Sequence, residues 1–327
     1  MYQFLVPELV PIQHQLPFDP THGYTFNELK KIGYPQATQA FKDFWQSTYQ
    51  ENSKLPLQIR LEDTGQFYKG LSVKKLSYAS WGGFVTGAWV LEPIQQRIKA
   101  ALVMGHGYGG RDNYSIAMIP RNTVIILPVA RGFHLSAKPG YPGESSKHVI
   151  YRIHDKYEYS IRGCVAELWS AVSCAYEIYP YIKSCSFSGG SFGGGLGALM
   201  LPFEKRISRF HLCVPTFGHQ PLRTKVPCTG SGESVRKYLS ENPEVEQTTL
   251  PYFDSATAAS LIKIPGIISP AIFDPAVPPL GQFSVANAIP GKKEVWVLQS
   301  GHFDTKVSAQ EDRLLNEKLI SFFEQGI

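Results

Sequence analysis

Five residues, Gly189-Gly190-Ser191-Phe192-Gly193, constrain this chain more than any others. They stand between a short apolar run at 184–188 and a small-residue stretch at 194–201 that reads as a helix. A strand that enters a helix through so few residues must turn sharply, which forces the apex residue into a strained backbone. Glycines two places before and after the apex let the neighbouring backbone pass without a clash. The apex is Ser191, whose hydroxyl then stands clear of the sheet. The plainer alternative is a Gly-rich loop that happens to open a helix, so the surrounding pattern has to decide.

That pattern has two parts. Before residue 95, strand-like segments at 57–61, 71–78 and 84–91 follow one another through short turns, as antiparallel hairpin strands do. From residue 99 the rhythm changes. Apolar runs at 99–104, 123–129, 184–188, 210–214, 266–273 and 294–298 are separated by longer stretches. One of these, 160–179, places Ile161, Val165, Leu168, Val172 and Tyr176 on one helix face and ends at Pro180. Buried runs alternating with helices predict an α/β chain with a mostly parallel, doubly wound sheet, antiparallel at its N-terminal start.

The remaining segments fit around that sheet. A helix at 37–49 carries Phe41, Phe44, Trp45 and Tyr49 on one face. It lies in a Pro-rich, aromatic N-terminal extension at 1–55. A last helix opens at Ser308 with the capping-box spelling Ser-Ala-Gln-Glu and turns Leu315, Leu319 and Phe322 inward. The stretch 215–251 reads as a small irregular insertion over one edge. With no repeat and no low-complexity linker, 1–327 is read as one domain.

Composition excludes several classes. Charged residues are 18% of the chain, and 32 Lys plus Arg against 27 Asp plus Glu leave +5, with no basic run interleaved with aromatics. Nucleic acid is therefore not an expected partner. No apolar stretch approaches the ~20 residues of a membrane span. Residues 1–20 lack a basic start and contain four prolines, which does not fit a signal peptide. The five cysteines form no C-x-x-C pair and read as free thiols in a reducing, cytoplasmic setting.

A serine at neutral pH needs a histidine base, itself oriented by a carboxylate. Three histidines follow Ser191: His211, His219 and His302. His211 lies within an apolar run and reads as a core residue. His302 directly follows the run at 294–298 on a loop freed by Gly301, which makes it the favoured base over His219. For the carboxylate, Asp274 ends the run at 266–273 and precedes Pro275, which keeps it extended. Asp254, Asp304 and Asp312 lie before a helix, after His302 and inside the last helix. Pro270 fits poorly in a central strand and suggests a bulge there.

Acyl transfer also needs N–H groups aimed at a developing oxyanion. One would come from Phe192, after the serine. The other would come from the turn His106-Gly107-Tyr108-Gly109-Gly110, most simply from Tyr108, with His106 propping the loop. Gly105, Gly107 and Gly110 also spell G-x-G-x-x-G, but no helix pattern or acidic residue follows where a dinucleotide would need them. His148 and His154 are six apart, off one helix face, and no metal-ligand spacing exists. Ser72 to Lys75 spells S-x-x-K inside an alternating strand, without companion motifs. No cofactor and no metal are expected.

These residues together resemble the acetyl xylan esterase and cephalosporin C deacetylase family of α/β-hydrolases. Phe41 to Trp45 resembles its F-x-x-F-W helix, His106 to Tyr108 its H-G-Y turn, and Tyr157 to Arg162 its Y-Y-Y-R stretch. Gly189 to Gly193 matches its serine elbow, Asp274 to Pro279 resembles its D-P-x-x-P-P loop, and His302 stands where its last histidine belongs. The resemblance implies a Ser191–His302–Asp274 triad, oxyanion N–H groups on Tyr108 and Phe192, and hydrolysis of short acyl esters of sugars or similar hydroxylated compounds. It also implies a small-molecule ester as substrate and a homo-oligomer.

Three positions depart from the family: Phe192 replaces Gln, Phe133 stands in its R-G-Q motif, and Phe303 follows His302 in place of Glu. If rings at these positions point into the site they should narrow the acyl pocket, which is the favoured reading; the competing outcome is a wider groove that buries longer acyl chains. A peptidase on the same fold, or a catalytically silent binding protein, are the competing readings. The first lacks a propeller domain and an acidic pocket motif, and the second has no physical need for an ordered triad.

Overall fold

The computed structural model describes residues 4–6 and 10–325. Strand β1 (Phe4–Leu5) is followed by the antiparallel set β2 (Arg60–Tyr68), β3 (Leu71–Ser80) and β4 (Phe84–Pro93). Then come β5 (Ala100–Gly105), β6 (Thr123–Pro128), β7 (Ser184–Gly190), β8 (Ile207–Cys213) and β9 (Gly266–Ser269). Three short strands close the series: β10 (Ala271–Phe273), β11 (Lys293–Trp296) and β12 (Leu298–Ser300).

The main sheet runs β1-β11-β9-β8-β7-β5-β6-β4-β3-β2, parallel from β1 to β6 and antiparallel beyond. That is the mixed α/β sheet the alternation of runs predicts. Its central strands are buried on both faces. Val103, Val124 and Ile126 join the core under the helices Gln39–Ser53, Ser160–Ile178 and Phe192–Met200, whereas Leu102, Ile125 and Leu127 face the last helix, Ser308–Glu324. Near-continuous apolar strands are what burial on two faces requires. Among the described residues, no helix is long and apolar enough to cross a membrane.

Several local expectations shift. The strand expected at 57–61 starts only at Arg60, because Gln58 sits in the left-handed region at φ 49° and interrupts the extended chain. The run at 266–273 splits at Pro270. Gly266–Ser269 stays in the main sheet, while Ala271–Phe273 pairs with Leu298–Ser300 in a separate two-stranded ladder. The run at 294–298 divides in the same way.

The 215–251 stretch carries the helices Gln220–Arg223, Gly232–Glu241 and Val245–Thr248. Its helix Gly232–Glu241 packs against the short helix Ser145–His148 that follows β6. The N-terminal extension holds a second, four-residue helix, Phe26–Leu29, opened by a complete Thr25/Glu28 capping box. The spelling at Ser308 is not used as a box: the Glu311 carboxylate instead accepts from the Gln299 N–H at 3.0 Å. In that helix Phe323, not Phe322, is the buried ring beside Leu315 and Leu319.

Candidate active site

Strand β7 feeds the helix Phe192–Met200 through Ser191, which lies at φ 53° and ψ −114°. Such a conformation costs a non-glycine residue about 1–3 kcal/mol and persists only where its surroundings enforce it. Here the Ser191 N–H donates to the Cys213 carbonyl at 2.8 Å, and the Gly193 N–H to that of His106 at the same distance. A Cβ on Gly189 would meet the Gly193 carbonyl at 2.5 Å, and one on Gly193 would meet the Gly105 carbonyl carbon at 2.6 Å. The glycine spacing is thus a packing requirement.

The structure brings Ser191, His302 and Asp274 into one hydrogen-bonded line. Ser191 Oγ lies 2.9 Å from His302 Nε2, and His302 Nδ1 lies 2.8 Å from Asp274 Oδ2. The split at Pro270 creates this arrangement. It pairs the strand ending at Phe273 with the strand ending at Ser300, and the Gly301 N–H donates to the Phe273 carbonyl at 2.8 Å. Asp274 and His302 therefore leave adjacent strands side by side. A Cβ on Gly301 would fall 2.4 Å from Asp274 Oδ2, so only glycine admits the carboxylate there.

Asp274 is fully buried and saturated with donors. Its Oδ1 accepts from the N–H groups of Ala276 and Val277, and its Oδ2 from Gln282 Nε2 as well as His302. Gln282, also buried, is itself fixed by the Ala271 N–H on its Oε1 at 2.8 Å. Burial pulls the His302 imidazole down, but the hydrogen bond and charge of Asp274 outweigh it and leave its pKa above the ordinary histidine value.

The other candidates lie elsewhere. His211 is buried in β8 between Ser188 Oγ at 3.2 Å and Ser269 Oγ at 3.1 Å, and burial drops its pKa to about 3. His219 stands in the left-handed region at the head of Gln220–Arg223. Asp254 is a buried cap, accepting from the N–H groups of His219, Gln220, Ala256 and Thr257.

The turn after β5 faces the serine: a Cβ on Gly107 would lie 3.9 Å from Ser191 Cβ. As the first residue of its helix, Phe192 has an N–H without an intrahelical acceptor. The turn is braced by two buried histidines. His106 accepts from the Ala130 N–H on Nε2 at 2.9 Å, which puts its proton on Nδ1, 2.7 Å from the Gly107 carbonyl. His148 faces the Arg131 carbonyl through Nε2 at 3.0 Å, so its Nδ1 is free to accept the Tyr108 hydroxyl at 3.1 Å. Burial lowers these imidazoles to about 4 and about 3, so both stay neutral at working pH. His106 props the loop, as its place in the turn suggested. His148 carries no spacing signal in the sequence, since its partners are distant along the chain, and Gln282 stands near Asp274 but belongs to no motif.

Two of the three substituted rings are buried rather than facing an open pocket. Phe192 and Phe133 lie beneath the turn after β5, where Phe192 stacks on Tyr108 and Phe133 leans on His148. Phe303 packs edge-on against Phe273, 5.2 Å between centroids. The reason is solvation: an aromatic ring gains more under the turn than at a wet surface.

A doubly wound sheet carrying a serine at the apex of its strand-to-helix turn defines an α/β-hydrolase. The family model described as acetyl xylan esterase matches residues 24–319, and the chain belongs to that family. It is accordingly a carboxylic ester hydrolase of the serine type. The fold is similar to acetyl xylan esterase 1 from a Thermoanaerobacterium species, with TM-score 0.76 and 19% identity over 92% of this chain and 99% of that one. An acetyl xylan esterase from a Paenibacillus species gives 0.74 and 19%, over 90% and 99%. The acylaminoacyl peptidase of Pyrococcus horikoshii is more distant, at 0.59 and 13%, over 80% of this chain and 42% of that one.

Proposed function

We propose that the protein removes short acyl groups, acetyl foremost, from sugars or similar hydroxylated compounds, with Ser191 as nucleophile. The observation that carries this reading is the continuous line from Ser191 Oγ through His302 to Asp274. His302 Nε2 takes the serine proton as Oγ attacks the ester carbonyl, and Asp274 holds the tautomer and balances the imidazolium that forms. The N–H groups of Tyr108 and Phe192 meet the oxyanion as the tetrahedral centre develops. Collapse expels the alcohol, protonated by His302, and leaves an acyl-enzyme. Water, activated by the same imidazole, then releases the acid. The sugar side of the reading is supported by family membership and by what the structural relatives are named for.

The test has two arms. A fluorophosphonate probe should label wild type and not Ser191→Ala. A panel of acetylated mono- and oligosaccharides, compared with simple aryl acetates, should show kcat/KM higher for the sugars. Labelling that survives in Ser191→Ala would remove the nucleophile assignment, and inert sugars would remove the substrate class.

A further inference from the structure

A cavity of about 510 Å³ lies on the β4 side of the oxyanion turn, and the ester chemistry makes no use of it. That size is ample for a small polar ligand. Its lining mixes aromatic and basic side chains: Trp81, Tyr141 and Tyr157 with Arg131, Lys138 and Arg152. Tyr141 is the wall that touches the histidine bracing the turn after β5. Its ring centroid is 5.9 Å from that of His148, whose Nδ1 holds the Tyr108 hydroxyl.

The floor is built rather than incidental. The Arg131 guanidinium is buried there, with Nε on Glu167 at 2.6 Å and Nη2 on the Trp81 carbonyl at 3.1 Å. Helix Ser160–Ile178 makes room for it at Gly163, where a Cβ would fall 1.9 Å from the guanidinium carbon. At the mouth, Tyr157 is 56% exposed, an unusual amount of ring to leave in water beside a cavity.

The charges do not cancel. Arg131 is answered by Glu167 and Arg152 by Glu158. Among the described residues Lys138 has no carboxylate within ion-pair distance, and its ammonium sits 5.5 Å above the Phe84 ring. Aromatic walls suit the apolar C–H face of a pyranose, and polar edges suit its hydroxyls. The uncompensated ammonium adds a demand for one negative charge. Both forked guanidinium groups are already answered by carboxylates, so the point charge of Lys138 is the one left for a ligand, and a singly charged carboxylate matches it.

We propose that this cavity is a saccharide subsite for a pyranose bearing a carboxylate, carried on the same oligosaccharide as the sugar whose ester reaches Ser191. The proposal deepens the sugar-ester reading above and rests on it. Binding can be measured without turnover, because the ligand need carry no ester. Cellobiouronic acid and cellobiose differ by one carboxylate and form a matched pair for calorimetric titration of the full-length protein.

The acid should bind roughly tenfold tighter than cellobiose. Lys138→Ala should abolish that preference, and Tyr157→Ala, at an exposed position, should weaken both sugars by roughly fivefold. Neither variant should change hydrolysis of 4-nitrophenyl acetate. No saturable binding of either disaccharide, or equal affinity for both, overturns the subsite, as does a preference untouched by Lys138→Ala. The acetylated-sugar panel reports separately on the reaction. Sugars cleaved without any binding preference would leave the reaction standing and remove the subsite.

Discussion

The ring of Tyr108 lies flat on the ring of Phe192, with centroids 3.9 Å apart and planes 15° from parallel. These same residues carry the two proposed oxyanion N–H groups, one on the turn after β5 and one at the head of the helix after β7. The stack therefore couples two loops whose spacing decides how well the oxyanion is held. On the far side, His148 fixes the Tyr108 hydroxyl and Phe217 packs edge-on against Phe192.

Phe192→Leu keeps the backbone donor and most of the buried volume but removes the stack. An aromatic pair contributes about 0.5–1.5 kcal/mol beyond its burial. If that energy serves to position the turn, kcat should fall roughly 2- to 10-fold with KM for 4-nitrophenyl acetate nearly unchanged. An unchanged kcat in a variant of normal stability would show that the turn keeps its shape without the rings.

Ser191→Ala should abolish hydrolysis while leaving the far-UV circular dichroism intact, and His302→Ala should be nearly as damaging. Triad members act as a unit, with losses of several orders of magnitude for either. His219→Ala should stay within about tenfold of wild type, because His219 only heads a short helix. A dead His219 variant beside an active His302 variant would reverse the assignment of the base.

The pH profile follows from the environment of His302. Asp274 raises its pKa, so the imidazolium is favoured and activity should be lost as pH falls through a value above that of an ordinary imidazole. In Asp274→Asn the raising contribution is gone and burial remains. The acid limb should then move to lower pH while kcat drops by about 10⁴, the cost of a misdirected tautomer. A limb that stays in place would mean that another group titrates.

Much of this was readable from residue order alone. The serine elbow, the two loops that supply Asp274 and His302, and the buried strands all follow from short-range patterns that the fold retains. Pro270 was legible as a flaw in its strand. Its consequence was not, because the second ladder forms only when residues 271–273 meet 298–300 across the chain. His148 was invisible for the same reason, since a lone histidine gains meaning only from Tyr108 and Arg131, both far from it in sequence. Gln282 stands close to Asp274 along the chain, but a glutamine in an apolar helix has no motif to mark it until the loop folds back on that helix. The direction of the Phe133 and Phe192 rings was not legible either, because a position beside a motif says nothing about which way a ring points.

The buried pair Arg131–Glu167 gives a stability prediction. Both side chains are almost wholly inside, at 9% and 1% exposure, and the Arg131 carbonyl also anchors His148. Glu167→Gln leaves the guanidinium buried without its counter-charge, a change that costs about 3–5 kcal/mol. Urea denaturation followed by fluorescence should show a loss of that order. A loss below about 1 kcal/mol would mean that water or a rearranged neighbour satisfies Arg131.

Acyl-chain length tests what the displaced rings do. Phe192 and Phe133 are buried and fill the interior beneath the turn after β5. The crevice that remains there, between His106, Cys164, Leu168 and Phe192, is about 10 Å³, no more than one water needs. An acyl chain longer than acetyl then has no apolar slot to enter under the turn. It forgoes the about 0.8 kcal/mol per CH₂ that burial would supply, and any clash with the rings adds to the loss. Where the added carbons do collide, discrimination of roughly 10–200-fold per step is within reach. The measurement is kcat/KM for 4-nitrophenyl acetate, butyrate and octanoate. A steady fall from acetate onward is the expected result. A maximum at octanoate would require a channel that the packed rings deny, and would place the acyl chain along the outer surface instead.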